Sequence, residues 1–370
     1  MKPVLFTPAY LSQCYSDHYA EAQQKFKQLT CNQPNHSFYR EFIYPETGPN
    51  AEPLMTAVSW QGDVDAACVL VLQSATHGVE GFAGSAIQID SLHTLKQESL
   101  PAGVAVLYIH AINPYGFAWL RRVNEEGVDL NRNFVDFSQP LPHNVGYDRL
   151  ADNIVPVELN DWDSATHKLY NYRDIHGQQD YELAISGGQY QYADGLFYGG
   201  TQPSESRINL EQVIDDFELR KRQSVAVIDI HSGLGPFGYG EVICDHPPGS
   251  IGVKRARQWY GDSVTEPALG SSTSVPKQGL IDYHWHQSLA ERVCFVTLEF
   301  GTYTIEQMFE VLRKDNFLHR NAVDWSASET QQVKQEIRKV FYPGTADWQE
   351  MVLMRGRQCV RQALQGLSQS

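Results

Sequence analysis

Side chains able to do metal and acid–base chemistry sit in this sequence directly after short apolar runs. Ala67 to Leu72 is followed by Ser74-Ala75-Thr76-His77-Gly78-Val79-Glu80-Gly81. Val225 to Ile230 is followed by His231-Ser232-Gly233, and Val293 to Leu298 by Glu299-Phe300-Gly301. Val104 to Ile109 leads into Asn113-Pro114-Tyr115-Gly116, then Arg121-Arg122-Val123-Asn124, then Val128-Asp129-Leu130-Asn131-Arg132-Asn133-Phe134. An i, i+3 pair such as His77 and Glu80, placed where a strand turns into a helix, aims an imidazole and a carboxylate at one point. Hydrolytic zinc sites take three protein ligands and keep a position open, and two histidines with one glutamate is a recurring set. His231 is the third candidate ligand, and Gly78 and Gly81 let the turn around the first two be tight.

Glu299 ends a run that is nearly all apolar. A buried carboxylate without a partner is costly, so it needs a cation, a metal or a raised pKa. Beside an activated water it has the position of a general base. Arg122 and Arg132 offer planar, permanently charged forks suited to a carboxylate or a developing oxyanion. Asn131 next to Arg132 favours a carboxylate clamp, whereas the ordinary fate of an arginine such as Arg121 is a surface salt bridge. Asp229 and His231, two apart on a strand, share a face. Asp229 therefore reads either as the partner that orients the imidazole or as a buried acid satisfied by backbone.

Three patterns are set aside. His18-Tyr19-Ala20-Glu21 repeats the H-x-x-E spacing, but in a polar helix-like stretch with no strand or glycine around it. Gly233-Leu234-Gly235-Pro236-Phe237-Gly238 satisfies G-x-G-x-x-G, yet a dinucleotide site needs a helix to open there, and Tyr239 to Cys244 reads as another strand. No G-x-S-x-G elbow is present, which argues against a serine hydrolase.

The elements that must position these groups are legible from periodicity. Four short, β-branched, non-alternating runs read as buried parallel-type strands. Helix-period stretches lie between and after them, at Ala83 to Lys96, Ser204 to Arg222, Ile251 to Tyr260 and Asp282 to Ala290. The expectation is an α/β fold with a mixed, largely parallel twisted sheet and helices on both faces. In open sheets of this kind the functional crevice lies beyond the carboxyl ends of the strands. One elaborated catalytic domain over 1–370 is expected, with a core at about 55–301. An insertion rich in Tyr, Gln, Asp and Gly spans about 148–200, and a helical C-terminal extension about 304–370, including Gln332 to Phe341 and Trp348 to Leu364.

Composition narrows the function classes. With 370 residues, 42% hydrophobic, the chain is long enough for a large core and is not a disordered one. A net charge of −15 argues against a nucleic-acid or anionic-membrane surface. Cys14, Cys31, Cys68, Cys244, Cys294 and Cys359 contain no C-x-x-C pair, so neither a disulfide framework nor a cysteine-rich zinc module is expected. Met1 to Ala20 has no apolar run flanked by basic residues, and no stretch approaches the length of a membrane span. A reduced, cytoplasmic, soluble protein is the expectation.

The order H-G-V-E, N-P-Y-G, Arg122, D-L-N-R, H-S-G and L-E-F-G resembles the zinc carboxypeptidase superfamily, and an uncharacterised bacterial branch of it in particular. The resemblance runs from about His77 to Gly301. It implies one zinc ion bound by His77, Glu80 and His231, with Glu299 as base and then proton donor. It further implies Arg122 helping to hold the oxyanion, Asn131 and Arg132 gripping a terminal carboxylate, and Asp129 behind a zinc-ligating histidine. Spacing leaves open whether Arg121 or Arg122 serves the oxyanion. Familiar members place a mobile tyrosine ahead of a G-x-I-D-like stretch. Here Gly279-Leu280-Ile281-Asp282 matches that stretch, but Ser271 to Lys277 holds no tyrosine.

The function expected is zinc-dependent hydrolysis of amide bonds in short peptides with a free carboxylate. An N-acyl-amino-acid deacylase of the succinylglutamate desuccinylase/aspartoacylase kind is the alternative, and a zinc-binding protein without turnover comes third.

Overall fold

The β-branched runs become the centre of a sheet because each is apolar at every position and needs cover on both faces. The structure, a computed structural model, describes residues 6–31, 36–96, 99–320 and 323–370, so the first five residues of Met1 to Ala20 lie outside the described ones. Seven strands, β1 (His36–Thr47), β2 (Pro53–Gln61), β3 (Cys68–Ser74), β4 (Val104–His110), β5 (Ser224–Gly233), β6 (Gly240–Ile243) and β7 (Val293–Gly301), form one sheet. Their order is β1-β2-β4-β3-β5-β7-β6. The four runs read from the sequence are β4, β3, β5 and β7, all parallel, with Val71 level with Val227 and Val227 level with Phe295. The mixed sheet expected is found. Its antiparallel members are β1 and β2 at one edge and β6 at the other.

Alternate side chains of the central strands feed two cores. Leu70 and Leu72 point to one face, covered by the helices Gly81–Leu95, Ile251–Tyr260 and Ala346–Leu367. Val69 and Val71 point to the other, covered by Leu210, Val213 and Ile214 of Glu205–Asp216 and by Ile281, Trp285 and Leu289 of Ile281–Leu289. A third cluster joins the insertion to the C-terminal region. In it Tyr147, Leu150, Leu169 and Ile185 pack against Met308, Val311, Ile337 and Phe341.

Some expectations change. β1 and β2 went unread because an edge hairpin can mix polar, aromatic and proline positions without a continuous apolar run. The helical C-terminal extension is found as expected, and it packs closely on the sheet: Trp348 is fully buried and its Nε1 donates to Gly301 O at 2.9 Å. His18 is a helix cap, its ring nitrogen accepting from Glu21 N at 3.2 Å at the start of Tyr19–Thr30. The glycine-rich stretch after β5 turns directly into β6 with no helix, as expected. Among the described residues no helix is long and apolar enough to cross a membrane.

Arg121 is not a surface arginine. It is buried and its Nε lies 3.1 Å from Asp315 Oδ2 on helix Ile305–His319, and Asp315 also accepts from Lys334 on helix Ser328–Phe341. Burial opposes the charge on Asp315, but Lys334 and Arg121 together hold its carboxyl down to about 2. Its folded pKa lies below the usual 3.8, so its stabilisation is present above that value and is lost as pH falls toward 2. Asp315→Asn strands two buried cations and should destabilise the protein by about 3–5 kcal/mol. Urea unfolding at pH 7 reads this directly, and an unchanged midpoint would mean the network is dispensable.

Candidate metal centre and substrate cleft

β3 ends in a tight turn that sets the first two candidate ligands. His77 lies just before the 3-10 turn Gly78–Glu80, which leads into helix Gly81–Leu95. Gly78 is required by close approach, since a Cβ there would meet the Gly116 backbone at 2.1 Å. The same turn is tied to the arginine loop, Gly78 N donating to Arg122 O at 3.2 Å and Val79 N to Arg121 O at 2.8 Å. Asn113 caps the short helix Pro114–Ala118, its Oδ1 accepting from Gly116 N at 2.9 Å. The N-P-Y-G stretch is thus a structural support that brings Arg122 next to His77.

His77, Glu80 and His231 come together. They are 3%, 2% and 3% exposed, and one ligand atom from each lies within 4.8 Å of the others. Among the described residues this is the one group of three or more metal-competent side chains so placed. His231 Nε2 lies 2.7 Å from Asp229 Oδ2, and Thr76 Oγ1 donates to Asp229 Oδ1 at 2.8 Å. Of the two readings of Asp229, the orienting partner is the one observed. His231 Nδ1 faces Glu80 Oε2 at 3.1 Å. Asp129 Oδ1 lies 3.4 Å from His77 Nδ1, a buried nitrogen with no hydrogen-bond partner among the described residues.

Arg122, not Arg121, reaches this centre. Its Nη2 is 2.8 Å from His77 Nε2, its Nη1 3.5 Å from Glu80 Oε1, and its Nε donates to Asp129 Oδ2 at 3.0 Å. Burial disfavours charge on Asp129, but Arg122 and Arg132 outweigh it and keep the carboxyl below its usual range. Burial and the Arg122 and His231 charges push the His77 pKa well down. His231 moves the opposite way: burial works against its charge, but Asp229 and Glu80 prevail and raise it. The donor set fits a divalent ion: two buried imidazoles and a carboxylate within 4.8 Å of one another, with His231 oriented by a second carboxylate. Binding an ion there requires His231 to shed its proton.

Glu299 stands level with His231 across the β5–β7 pair. Its Oε1 accepts from Leu234 N at 2.9 Å, and burial together with the Glu80 charge raises its pKa to about 8. Arg132 is fully buried, with Nη1 on Asn131 O and Nη2 on Ser186 O at 2.7 Å, while its Nε has no acceptor. Burial lowers its pKa to about 10, so it stays charged at neutral pH. Asn131 Oδ1 is committed to Ile281 N at 2.8 Å, which leaves its amide nitrogen for a ligand.

His77, Glu80, Arg122, Asn131, Arg132, His231 and Glu299 line a cavity of about 170 Å³, which Asp129 and Asp229 do not reach. Sequence reasoning missed several of its walls. The insertion supplies Phe197, whose ring lies 5.4 Å from the Arg122 guanidinium and 5.7 Å from that of Arg132. Lys277, Asp245 and Asp282 also face the cavity. The loop before Lys277 is pinned by buried Glu241, which accepts from Ser272 Oγ at 2.9 Å and Thr273 N at 3.2 Å. Lys277 and Asp282 flank the Gly279-Leu280-Ile281 stretch, a proximity the sequence offered. Nothing local marked Phe197.

A family model described as "Protein of unknown function (DUF2817)" matches residues 15–355, well beyond the span from His77 to Gly301 on which the resemblance was read. No curated protein matches the chain. Among solved structures, the carboxypeptidase A from Helicoverpa armigera superposes with a TM-score of 0.53 at 13% identity, over 97% of this chain and 75% of that one. Thrombin activatable fibrinolysis inhibitor does so with a TM-score of 0.50 at 10% identity, over 99% and 77%. An aspartoacylase family protein from Mesorhizobium loti reaches only 0.39 at 15% identity, over 78% and 67%. At such identities the likeness is one of fold, and the fold is that of carboxypeptidase A.

The geometry makes metal content the direct readout. His77→Ala should abolish stoichiometric zinc measured by atomic emission after dialysis, whereas His18→Ala should leave it unchanged. Asp229→Asn should weaken zinc affinity about 10–100-fold by releasing the His231 ring. Full zinc retention by His77→Ala would dissolve the centre.

Proposed function

We propose that this chain, which belongs to the family described as "Protein of unknown function (DUF2817)", is a zinc-dependent hydrolase of amide bonds that acts as an exopeptidase on short peptides with a free carboxylate. The observation that carries this reading is the convergence of His77, Glu80 and His231 within 4.8 Å, with Glu299 on the adjacent strand. Two imidazoles and one carboxylate favour zinc and leave a position open for water and substrate. A bound zinc ion would supply a Lewis acid that makes water acidic near neutral pH and polarises the scissile carbonyl.

The remaining work falls to the chain's own side chains. Glu299 has Oε1 held by Leu234 N, so Oε2 is the atom that takes the proton of the attacking water and returns it to the leaving nitrogen. Arg122, fixed by Asp129 beside the ligands, places its guanidinium against the oxyanion that develops as the carbonyl is attacked. Arg132, the Asn131 amide nitrogen and Lys277 take the substrate's terminal carboxylate. Phe197 holds both arginine planes from the insertion side and excludes water from them.

Glu299→Gln should retain zinc and lose at least about two orders of magnitude in kcat on peptides with a free carboxylate. The zinc-loaded protein is to be assayed on short peptides, on the same peptides with a C-terminal amide, and on N-acyl amino acids. Turnover of free-acid peptides that the amide blocks supports the reading. Turnover confined to N-acyl amino acids would replace it with a deacylase, and zinc without any turnover would leave a binding protein.

A further inference from the structure

Glu182, Glu306, Asp245 and Asp282 line the cleft and have no part in the chemistry above; among them Asp282 is buried, with Asp245 beside it. Asp245 follows β6, and Asp282 lies in the first turn of helix Ile281–Leu289. Both face the same cavity, whose lining also includes the apolar residues Ile243, Leu280, Ile281 and Phe295. Asp282 is 3% exposed; its Oδ1 accepts from Tyr283 N at 2.8 Å, while its Oδ2 is buried without a hydrogen-bond partner. Among the described residues Asp245 makes no side-chain hydrogen bond, and no cation lies within 4.0 Å of either carboxylate. Lys277, the nearest candidate, gives its ammonium instead to Ser274 Oγ and Val275 O.

A buried carboxylate oxygen without a partner is costly, and the helix N-terminus behind Asp282 offsets only part of that cost. The two acids bring no third metal-competent side chain with them, so a metal ion is not the natural occupant. A donor-rich cationic group of a ligand is. Arg132 and Lys277 face the same cavity and are suited to a carboxylate, so one ligand residue can present its α-carboxylate to them and a cation to the acids.

We infer that the cleft selects peptides whose C-terminal residue carries a cationic side chain, seated against Asp245 and Asp282. This rests on the exopeptidase reading and names its substrate class. The proton affinities agree with it. Burial, with Asp245 beside it, raises Asp282 well above the usual range, and burial raises Asp245 to about 6.

The test uses N-acylated dipeptides identical except for a C-terminal lysine, arginine, Nε-acetyl-lysine, leucine or glutamate, with zinc-loaded full-length protein. Lysine and arginine peptides should exceed leucine by at least about tenfold in kcat/KM, and Nε-acetyl-lysine, which keeps the length but not the charge, should lose the advantage. Asp245→Asn, and separately Asp282→Asn, should bring the lysine-to-leucine ratio toward one. Calorimetric binding of free L-lysine and L-leucine gives the same order without turnover. Leucine or glutamate equal to or above lysine, in rate and in binding, overturns the inference and leaves the exopeptidase intact. Absence of cleavage of every peptide would remove the exopeptidase reading, and the binding order would still decide the selectivity of the cavity.

Discussion

Parallel pairing of β3, β5 and β7 brings three carboxyl ends to one edge of the sheet, and the site depends on that alignment. His77 follows the end of β3, His231 lies near the end of β5, and Glu299 lies level with it on β7. No local motif joins them; the register does. Because the strands are buried on both faces, their ends are held by two cores and cannot drift independently. The loops beyond inherit that rigidity. Gly78 shows how tightly it is enforced, with Gly116 backbone where a side chain would begin.

Charge is arranged in the same economical way. Asp229 serves His231, and Asp129 serves Arg122 while lying beside His77, so each imidazole has an acid behind it. The two rings are nonetheless pushed to opposite protonation preferences, because burial and Arg122 act together on His77, whereas at His231 Asp229 and then Glu80 overcome burial. Arg121 and Arg122 are sequence neighbours with different duties. One turns back into the Asp315–Lys334 network and anchors the loop, and the other reaches forward to the ligands.

What could be read in advance follows from which signals are local. The central strands were legible because they are continuous apolar runs, and the ligand trio because polar, metal-competent residues stand where those runs stop. Helix Ile251–Tyr260 was legible to its ends from periodicity. β1 and β2 were not: β1 is an edge strand of mixed exposure, and β2, though buried at all but its first position, has Thr56, Ser59 and Gln61 among its apolar residues. The choice between Arg121 and Arg122 needed the position of Asp315, far along the chain. Asn131 was read as a clamp from its neighbour Arg132, but its carbonyl oxygen is spent on the Ile281 backbone, which only the tertiary fold decides. Phe197 and Lys277 carry no motif. Their importance comes from what the insertion and the Glu241-pinned loop bring to the cavity.

The joints between the late helices and the ligand-bearing strands bear on how such a protein is made. Ser232, next to His231, donates its hydroxyl to Phe341 O at 2.8 Å, and Gly301, two residues past Glu299, accepts from the Trp348 indole. A nascent polypeptide leaving the ribosome lacks these latches until translation has passed both positions. Partially synthesised chains that stop short of Phe341 and Trp348 therefore carry every candidate ligand without the braces that align them.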